Sequence, residues 1–390
     1  MQILMKIFKK FYHYFKQYFS KKVIYLSPQG KPIGNILVSY VITPFLKSNN
    51  KKFTTSHTNQ WECYQIVKTF LDEGYCVDVI NWNDKDFLPK KNYRVFIDIH
   101  SNLERISPLL NKNCIKILHI TGAHWIYQNY IEYRRLKDIQ NSRSVTLIPR
   151  RTVPPSLGIE FADMATTVGN EFTINTFSYS KKEIHRIPLS SSVLFDFAEN
   201  KNYEESRKNY LWFGSNGLAL KGLDIVLEVF KNLPDYKLFV CGPIKDEKDF
   251  EDAFHAELYE TKNIYTIGWV DLESKKFKEI YENCIGIIYP SFSEGGGGSV
   301  INCMHVGLIP IVSRQSSVDI EDFGFLIPDI TVEAIEDLIR KISSLDLKEL
   351  ESRSRNTWEY ARKVHTKENF AKEYKKFIKE KLNIENENFI

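Results

Sequence analysis

Three short stretches combine residue types able to do chemistry with a placement that would expose them. In Tyr289-Pro-Ser-Phe-Ser-Glu294-Gly-Gly-Gly-Gly298-Ser-Val-Ile-Asn302 a buried-type strand ends, an acid is followed by four glycines, and an apolar helix begins. Glycines let main-chain N–H groups come close to an anion, and a helix starting just after them adds the positive end of its dipole. A diphosphate fits such a place. Glu294 is a carboxylate suited to accept hydrogen bonds from sugar hydroxyls. The rival explanation, a flexible linker with a solvated acid, fits poorly with a run set between strand and helix.

The second stretch is Phe213-Gly-Ser-Asn-Gly217-Leu-Ala-Leu-Lys221-Gly222. It is not a P-loop, because Leu223-Asp224 follow where a lysine and a hydroxyl residue are needed, and the spacing of Gly214 and Gly217 is not that of a dinucleotide fingerprint. Lys221, just before a helical pattern, supplies a point charge for a phosphate, and an ordinary surface lysine accounts for it equally well. The third stretch, Thr121-Gly-Ala-His124-Trp125-Ile-Tyr-Gln128-Asn129, brings an imidazole, an aromatic wall and amides together after a strand. That set suits a sugar, which shows hydroxyls on its edge and C–H groups on its face. His124 is placed to orient a sugar or take a proton; a histidine bonded inside the fold, with Trp125 in the core, is the other reading.

Other chemistries lack support. There is no H-E-x-x-H, no G-x-S-x-G and no His/Cys cluster of ligand spacing, so no metal site is expected. Asp84-x-Asp86 lies in a polar stretch where its acids read as solvated. No second carboxylate is placed to work with Glu294 in glycoside hydrolysis.

The elements that must position these residues alternate between strand and helix. Val23–Leu26, Tyr75–Ile80, Tyr93–Ile99 and Ile115–Ile120 read as strands, and Trp61–Leu71 has helical spacing. After a polar stretch at 191–208 that reads as a linker, a second series begins. Strands are expected at Tyr210–Phe213, Tyr236–Cys241, Ile264–Val270, Cys284–Tyr289 and Leu308–Ser313, with a helix carrying Leu223, Val226, Leu227, Phe230 and Leu233 on one face. This is an α/β chain of two doubly wound, Rossmann-like units facing a central cleft, and such sheets bind ligands beyond the carboxyl ends of their strands. The expected division is 1–22 a tail helix, 23–190 the first unit, 191–208 the linker, 209–368 the second unit, and 369–390 a helix packing back through Phe370, Tyr374, Phe377 and Ile378.

Charge and composition narrow the class. The chain has 390 residues and a net charge of +4, but residues 1–22 hold six lysines and no acid, which leaves the rest slightly negative. A nucleic-acid partner is therefore not expected. On a helix, Leu4, Ile7, Phe8, Phe11, Phe15, Tyr18 and Phe19 gather opposite Lys6, Lys9, Lys10 and Lys16, the pattern of a helix lying in a membrane surface or docking on protein. No uncharged apolar run is long enough to span a bilayer. The six cysteines fall singly, as in a reducing compartment. Cytoplasmic location, peripheral on the inner face of the cell membrane, is the expectation.

Glu294 with its glycines, followed by a helix that ends near Gly307-Leu-Ile-Pro-Ile-Val, resembles the donor-site motif of GT-B glycosyltransferases, specifically retaining family 4 with its E-x7-E signature. Gly214–Gly222 is similar to the same family's phosphate loop. The resemblance covers residues 209–385 well and the first half only in general pattern. It implies a glycosyltransferase that moves a sugar from a UDP- or GDP-sugar to a glycan or lipid-linked acceptor in cell-surface polysaccharide synthesis, with retention and without a required cofactor. Carried over, Gly214, Ser215, Asn216, Lys221, Glu294, Gly295, Gly296, Gly297, Gly298, Ser299 and Asn302 would bind the donor, and Glu294, His124 and Lys221 would be catalytic. Apart from the resemblance, the residue types at Gly30, Gly34, His57, Trp125, Gln128, Asn129, Arg150 and Arg151 make these the candidate acceptor contacts. Two positions depart: the second glutamate falls on Asn302, and the arginine usually before the lysine falls near Ser215 or Asn216. Two other classes fit the same signals: a nucleotide-sugar epimerase or phosphorylase, and a non-catalytic nucleotide-sugar-binding partner subunit.

Overall fold

The computed structural model describes residues 23–46 and 58–382. The tail helix expected at 1–22, and His57, lie outside the described residues. Among the described residues thirteen strands form two sheets. The first holds β1 (Val23–Leu26), β2 (Gly34–Tyr40), β3 (Tyr75–Asn81), β4 (Val95–Asp98), β5 (Ile115–Ile120), β6 (Met164–Thr167) and β7 (Ile184–Arg186), in the order β1-β3-β2-β4-β5-β6-β7. The second holds β8 (Asn209–Phe213), β9 (Lys237–Cys241), β10 (Ile264–Gly268), β11 (Gly286–Tyr289), β12 (Ile309–Val312) and β13 (Phe325–Leu326), in the order β10-β9-β8-β11-β12-β13.

All pairings are parallel except β1 with β3. Central parallel strands are covered on both faces by helices, which is why β4 and β11 are buried along their whole length. In each sheet the strand order reverses beside the first parallel strand, between β2 and β4 and between β8 and β11. At such a switch the connections leave in opposite directions and a crevice opens beyond the carboxyl ends. The loops after β8 and β11 are the two glycine-bearing stretches.

One central strand differs from the sequence expectation. Gly34–Tyr40 (GNILVSY), read only as the end of a loop and an uncharged run, is β2 in the middle of the first sheet. The antiparallel direction of β1 then has a consequence for the expected acceptor contacts Gly30 and Gly34. Their loop emerges at the amino edge of β2, while Tyr40 at the carboxyl edge reaches the cleft, so these two glycines are not brought to it.

The stretch 189–208 is coil with one helical turn at Tyr203–Ser206, and it is packed: Ser190, Ser191 and Lys201 are buried, with Lys201 Nζ donating to the Cys284 carbonyl at 2.8 Å. The last described helix, Lys367–Leu382, buries Phe370, Tyr374, Phe377 and Ile378 and returns to the first half, where Phe370 meets Trp61 edge-on at 5.4 Å. No helix among the described residues is long and apolar enough to cross a membrane.

Candidate functional site

The carboxyl edges of the two sheets enclose a cavity of about 500 Å³. Tyr40, Glu62, Thr121 and Val168 line it from the first half; Gly214, Ser215, Lys221, Glu294, Gly295–Gly298, Ser299 and Asn302 line it from the second. Ten of the eleven expected donor residues thus share one wall; the eleventh, Asn216, faces an adjoining cavity of about 740 Å³ with Trp269 between the two.

Glu294 sits at the hub. Lys221 Nζ donates to its Oε1, and the Tyr289 hydroxyl donates to the same oxygen at 2.7 Å, while Oε2 has no protein partner among the described residues. Burial alone would push the Glu294 carboxyl up, but the Lys221 ammonium, the Arg151 guanidinium and these hydrogen bonds hold it below the ordinary carboxylate range. Burial pulls the Lys221 ammonium down, and the Glu294 carboxylate opposes that pull. Lys221 is therefore not a free point charge at a loop edge; it is a buried partner that fixes and ionises Glu294. Oε2 is the acceptor left for a ligand hydroxyl.

The glycines after Glu294 allow a close approach between the two halves. A Cβ on Gly295 would run into the Thr121 carbonyl and Gly122 Cα, and Gly297 adopts φ 55, a left-handed conformation that caps the helix Gly298–Met304. In the first turn of that helix the N–H groups have no intrahelical acceptor. Ties from the first half hold the preceding turn: Tyr127 Oη donates to the Phe292 carbonyl at 3.2 Å, Ser293 Oγ to Gln128 Oε1 at 2.6 Å, and Thr173 Oγ1 to the Glu294 carbonyl at 3.3 Å.

The loop after β8 is arranged differently. Its Gly214 N–H donates to the Cys241 carbonyl at 3.0 Å, and the Gly217 and Leu218 N–H groups both donate to the buried carboxylate of Glu247. An acid of the protein occupies the place where an anion was expected. Asn302 presents a polarity of its own. Its Oδ1 accepts from Ser191 Oγ at 2.8 Å and from the Ser192 N–H at 3.2 Å, which leaves its carboxamide nitrogen as the group offered to the cavity.

A second cavity of about 320 Å³ adjoins the first, sharing Thr121, Arg151, Glu294 and Gly295 and adding His100, His124, Trp125 and Gln128. His124 lines it but is committed. It caps the helix Trp125–Arg143 by accepting the Ile126 N–H on Nδ1 at 3.3 Å, so a neutral ring carries its proton on Nε2. Nε2 lies 3.1 Å from Tyr179 Oη, which in turn donates to Glu160 at 2.7 Å. Burial also lowers the His124 pKa. Both ring nitrogens are thus engaged in hydrogen bonds within the protein.

Of the other expected acceptor contacts, Gln128 spends its amide on the Arg151 carbonyl at 2.8 Å and Ser293, and Asn129 bonds the backbone of Val153 in both directions. Both hold the 150–153 loop. Arg150 pairs with Asp249 at 2.7 Å. Trp125 remains on the wall of the second cavity, and Arg151 on the walls of both. Tyr40 and Glu62 (Oη to Oε2 3.2 Å), Trp269 and Asp271 are cavity residues the sequence did not signal, because no local pattern marks them.

The class defined by these two facing sheets is GT-B. Residues 195–364 match the family model of glycosyl transferases group 1, a segment that contains Lys221, Glu294, the four glycines and Asn302. Among solved structures, a sucrose-phosphate synthase from Thermosynechococcus elongatus is 14% identical with a TM-score of 0.60, over 90% of this chain and 99% of that one. HepE of Anabaena, solved with UDP and glucose, is 11% identical with a TM-score of 0.54, over 90% and 99%. WaaG, a glycosyltransferase involved in lipopolysaccharide biosynthesis, is 15% identical with a TM-score of 0.51, over 87% and 98%. These likenesses bear out the expected fold. No curated protein matches the chain in sequence.

Proposed function

We propose that the chain is a glycosyltransferase that takes a sugar from a nucleoside-diphosphate sugar held by 209–368 and passes it to a glycan or lipid-linked acceptor held by 23–190. The observation that carries this reading is the 500 Å³ cavity at the switch point of the second sheet, where Glu294 Oε2 and the turn Gly295–Gly298 face the carboxyl edge of the first sheet. Its volume lies within the usual range for small-molecule sites. The group 1 match over 195–364 and a GT-B neighbour solved with UDP and glucose support a nucleotide-sugar donor.

In the transfer, the bond from the anomeric carbon to the diphosphate breaks and its electron pair leaves with the phosphate oxygen. The acceptor oxygen forms the new bond and passes its proton to the departing phosphate oxygen. Groups already in place for the growing negative charge contribute most, since they need no reorganisation at the moment of reaction. Glu294 orients the sugar through its hydroxyls. We propose retention of configuration: His124, the base expected for inversion, has no free nitrogen. The second cavity, walled by Trp125, is the proposed acceptor seat. A role in cell-surface polysaccharide synthesis, with residues 1–22 on the membrane, rests on the basic aromatic pattern of that tail and on the likeness to WaaG.

The test is incubation with a panel of UDP- and GDP-sugars, with and without acceptor, followed by product analysis. A product that requires acceptor and disappears in Glu294→Ala supports transfer. An isomer or sugar phosphate formed without acceptor, or binding without turnover, would replace this reading with an epimerase, a phosphorylase or a binding subunit.

A further inference from the structure

The donor cavity has a charge deficit that points to one residue. A bound nucleoside diphosphate carries at least two negative charges, and burying them requires cations or fully directed donors. Only two basic residues, Lys221 and Arg151, line the cavity among the described residues. Lys221 already pairs with Glu294, and the Gly217 and Leu218 amides already donate to Glu247. Among the described residues the second half therefore brings no uncommitted cation to the donor cavity itself; its Lys245 lies on the wall of the neighbouring cavity beyond Ser215 and Asn216.

Arg151 comes from the first half and forms no ion pair among the described residues, unlike its neighbour Arg150. Its main chain is fixed at both ends: the N–H donates to Glu132 Oε1 at 3.0 Å and the carbonyl accepts from Gln128 Nε2 at 2.8 Å. From there the side chain crosses directly over Gly217. A Cβ at 217 would run into Arg151 Cγ and lie 2.8 Å from its Cδ, and Gly217 has φ 92 besides. The bare glycine is a track for the arginine stem. Arg151 lies on the walls of the donor cavity, the adjoining acceptor cavity and the cavity beyond Ser215 and Asn216, and its charge acts on both Glu294 and Lys221.

We propose that Arg151, expected from the sequence to contact the acceptor, instead binds the donor diphosphate from across the cleft and stabilises it as it departs. The two lobes then complete one phosphate site between them. This assignment rests on the donor reading given above. A guanidinium is suited to the task because it can bond two phosphate oxygens at once.

Calorimetric titrations of the full chain with UDP, GDP, UMP and GMP, at low and high salt, test it. For whichever base binds, Arg151→Ala is expected to weaken the diphosphate by about tenfold to a hundredfold and the monophosphate much less, with a shallower salt dependence. Arg151→Lys should recover part of the loss, and Gly217→Ala, which displaces the stem, should reproduce part of it. Diphosphate affinity unchanged in Arg151→Ala, with the wild type still binding, would overturn the proposal and leave the donor reading intact. A wild type that binds none of the four nucleotides would overturn the donor reading itself.

Discussion

The two glycine-bearing turns of the second half stand side by side at the same switch point and look alike in sequence, yet their main-chain donors are in opposite states. After β8, the N–H groups of Gly214, Gly217 and Leu218 are all bonded to the protein. After β11, Gly295–Gly298 line the cavity next to a carboxylate whose Oε2 has no protein partner among the described residues. Glycine density alone does not make an anion site. What distinguishes the two is whether an internal acceptor has already taken the amides, and in the first turn Glu247, thirty residues along the chain, has done so.

The largest effect that sharpens this contrast is expected within the second turn. Gly295→Ala places a methyl against the Thr121 carbonyl, backbone against which no rotamer change helps, so the halves must part locally. Overpacking of this kind costs about 1–3 kcal/mol, and sugar transfer should fall by about a hundredfold, the scale on which a displacement of about 1 Å acts. Gly298→Ala meets only Leu189 Cδ2 at 3.7 Å and should leave stability within about 0.5 kcal/mol of wild type. Equal losses at both positions, measured by urea denaturation and transfer assays, would show that the turn's seat against the first half is unimportant.

The next effect belongs to the first turn. Glu247→Ala strips the Gly217 and Leu218 amides of their acceptor in a buried place, and stability should drop by about 1–3 kcal/mol. If that turn were instead a phosphate seat that Glu247 merely blocks, removing the acid would tighten diphosphate binding without loss of stability. That outcome would erase the distinction between the turns.

Why one turn was readable and the other misleading follows from where the deciding partners lie. The strand–Glu–glycine–helix run at 285–304 is local, and its apolar flanks announce a buried strand and helix. The partners of the first turn, Glu247 and Arg151, come from elsewhere in the chain, where spacing carries no signal. The same limit hid the helix Trp125–Arg143. Its buried face mixes Ile131 and Ile139 with Gln128, Glu132 and Arg135, because it packs across the cleft partly on polar groups such as Asp224, which Arg135 meets at 2.5 Å. An apolar stripe interrupted by buried polar residues leaves little period to read. Strand β2 was missed for the converse reason: GNILVSY sits inside a longer uncharged run, so its apolar residues had no sharp boundary.

A smaller effect separates structure from catalysis at His124. As a helix cap bonded to Tyr179, it should cost about 1 kcal/mol of stability when changed to alanine. Transfer should fall less than tenfold and the pH profile should keep its shape, whereas loss of a general base costs about a hundredfold to ten-thousandfold and removes a limb of the profile. A missing limb in His124→Ala would restore the histidine to the chemistry and with it an inverting route.

The smallest effect returns to the two turns through their acids, whose pKa values move in opposite directions. Glu294, held low, lends stability in its ionised form that is complete above about pH 4.5 and lost as pH falls through its depressed folded-state value. Glu247 is raised by burial, with its amide donors only partly offsetting this, so the folded state gains a proton before the unfolded chain does and becomes relatively more stable as pH falls toward 4.5. The stability difference between wild type and Glu294→Gln should therefore shrink on acidification from pH 5 to 3, while that between wild type and Glu247→Gln should shift in favour of wild type from pH 7 to 5. Each slope is a fraction of the about 1.4 kcal/mol per pH unit that a whole proton gives. Taking differences also cancels the buried histidines His119, His305 and His365, whose pKa values are lowered to about 4 and which destabilise every variant alike as pH falls below 6.5. Slopes of the same sign for the two variants would mean that both carboxylates sit in equivalent surroundings, and the difference between an occupied turn and an open one would no longer hold.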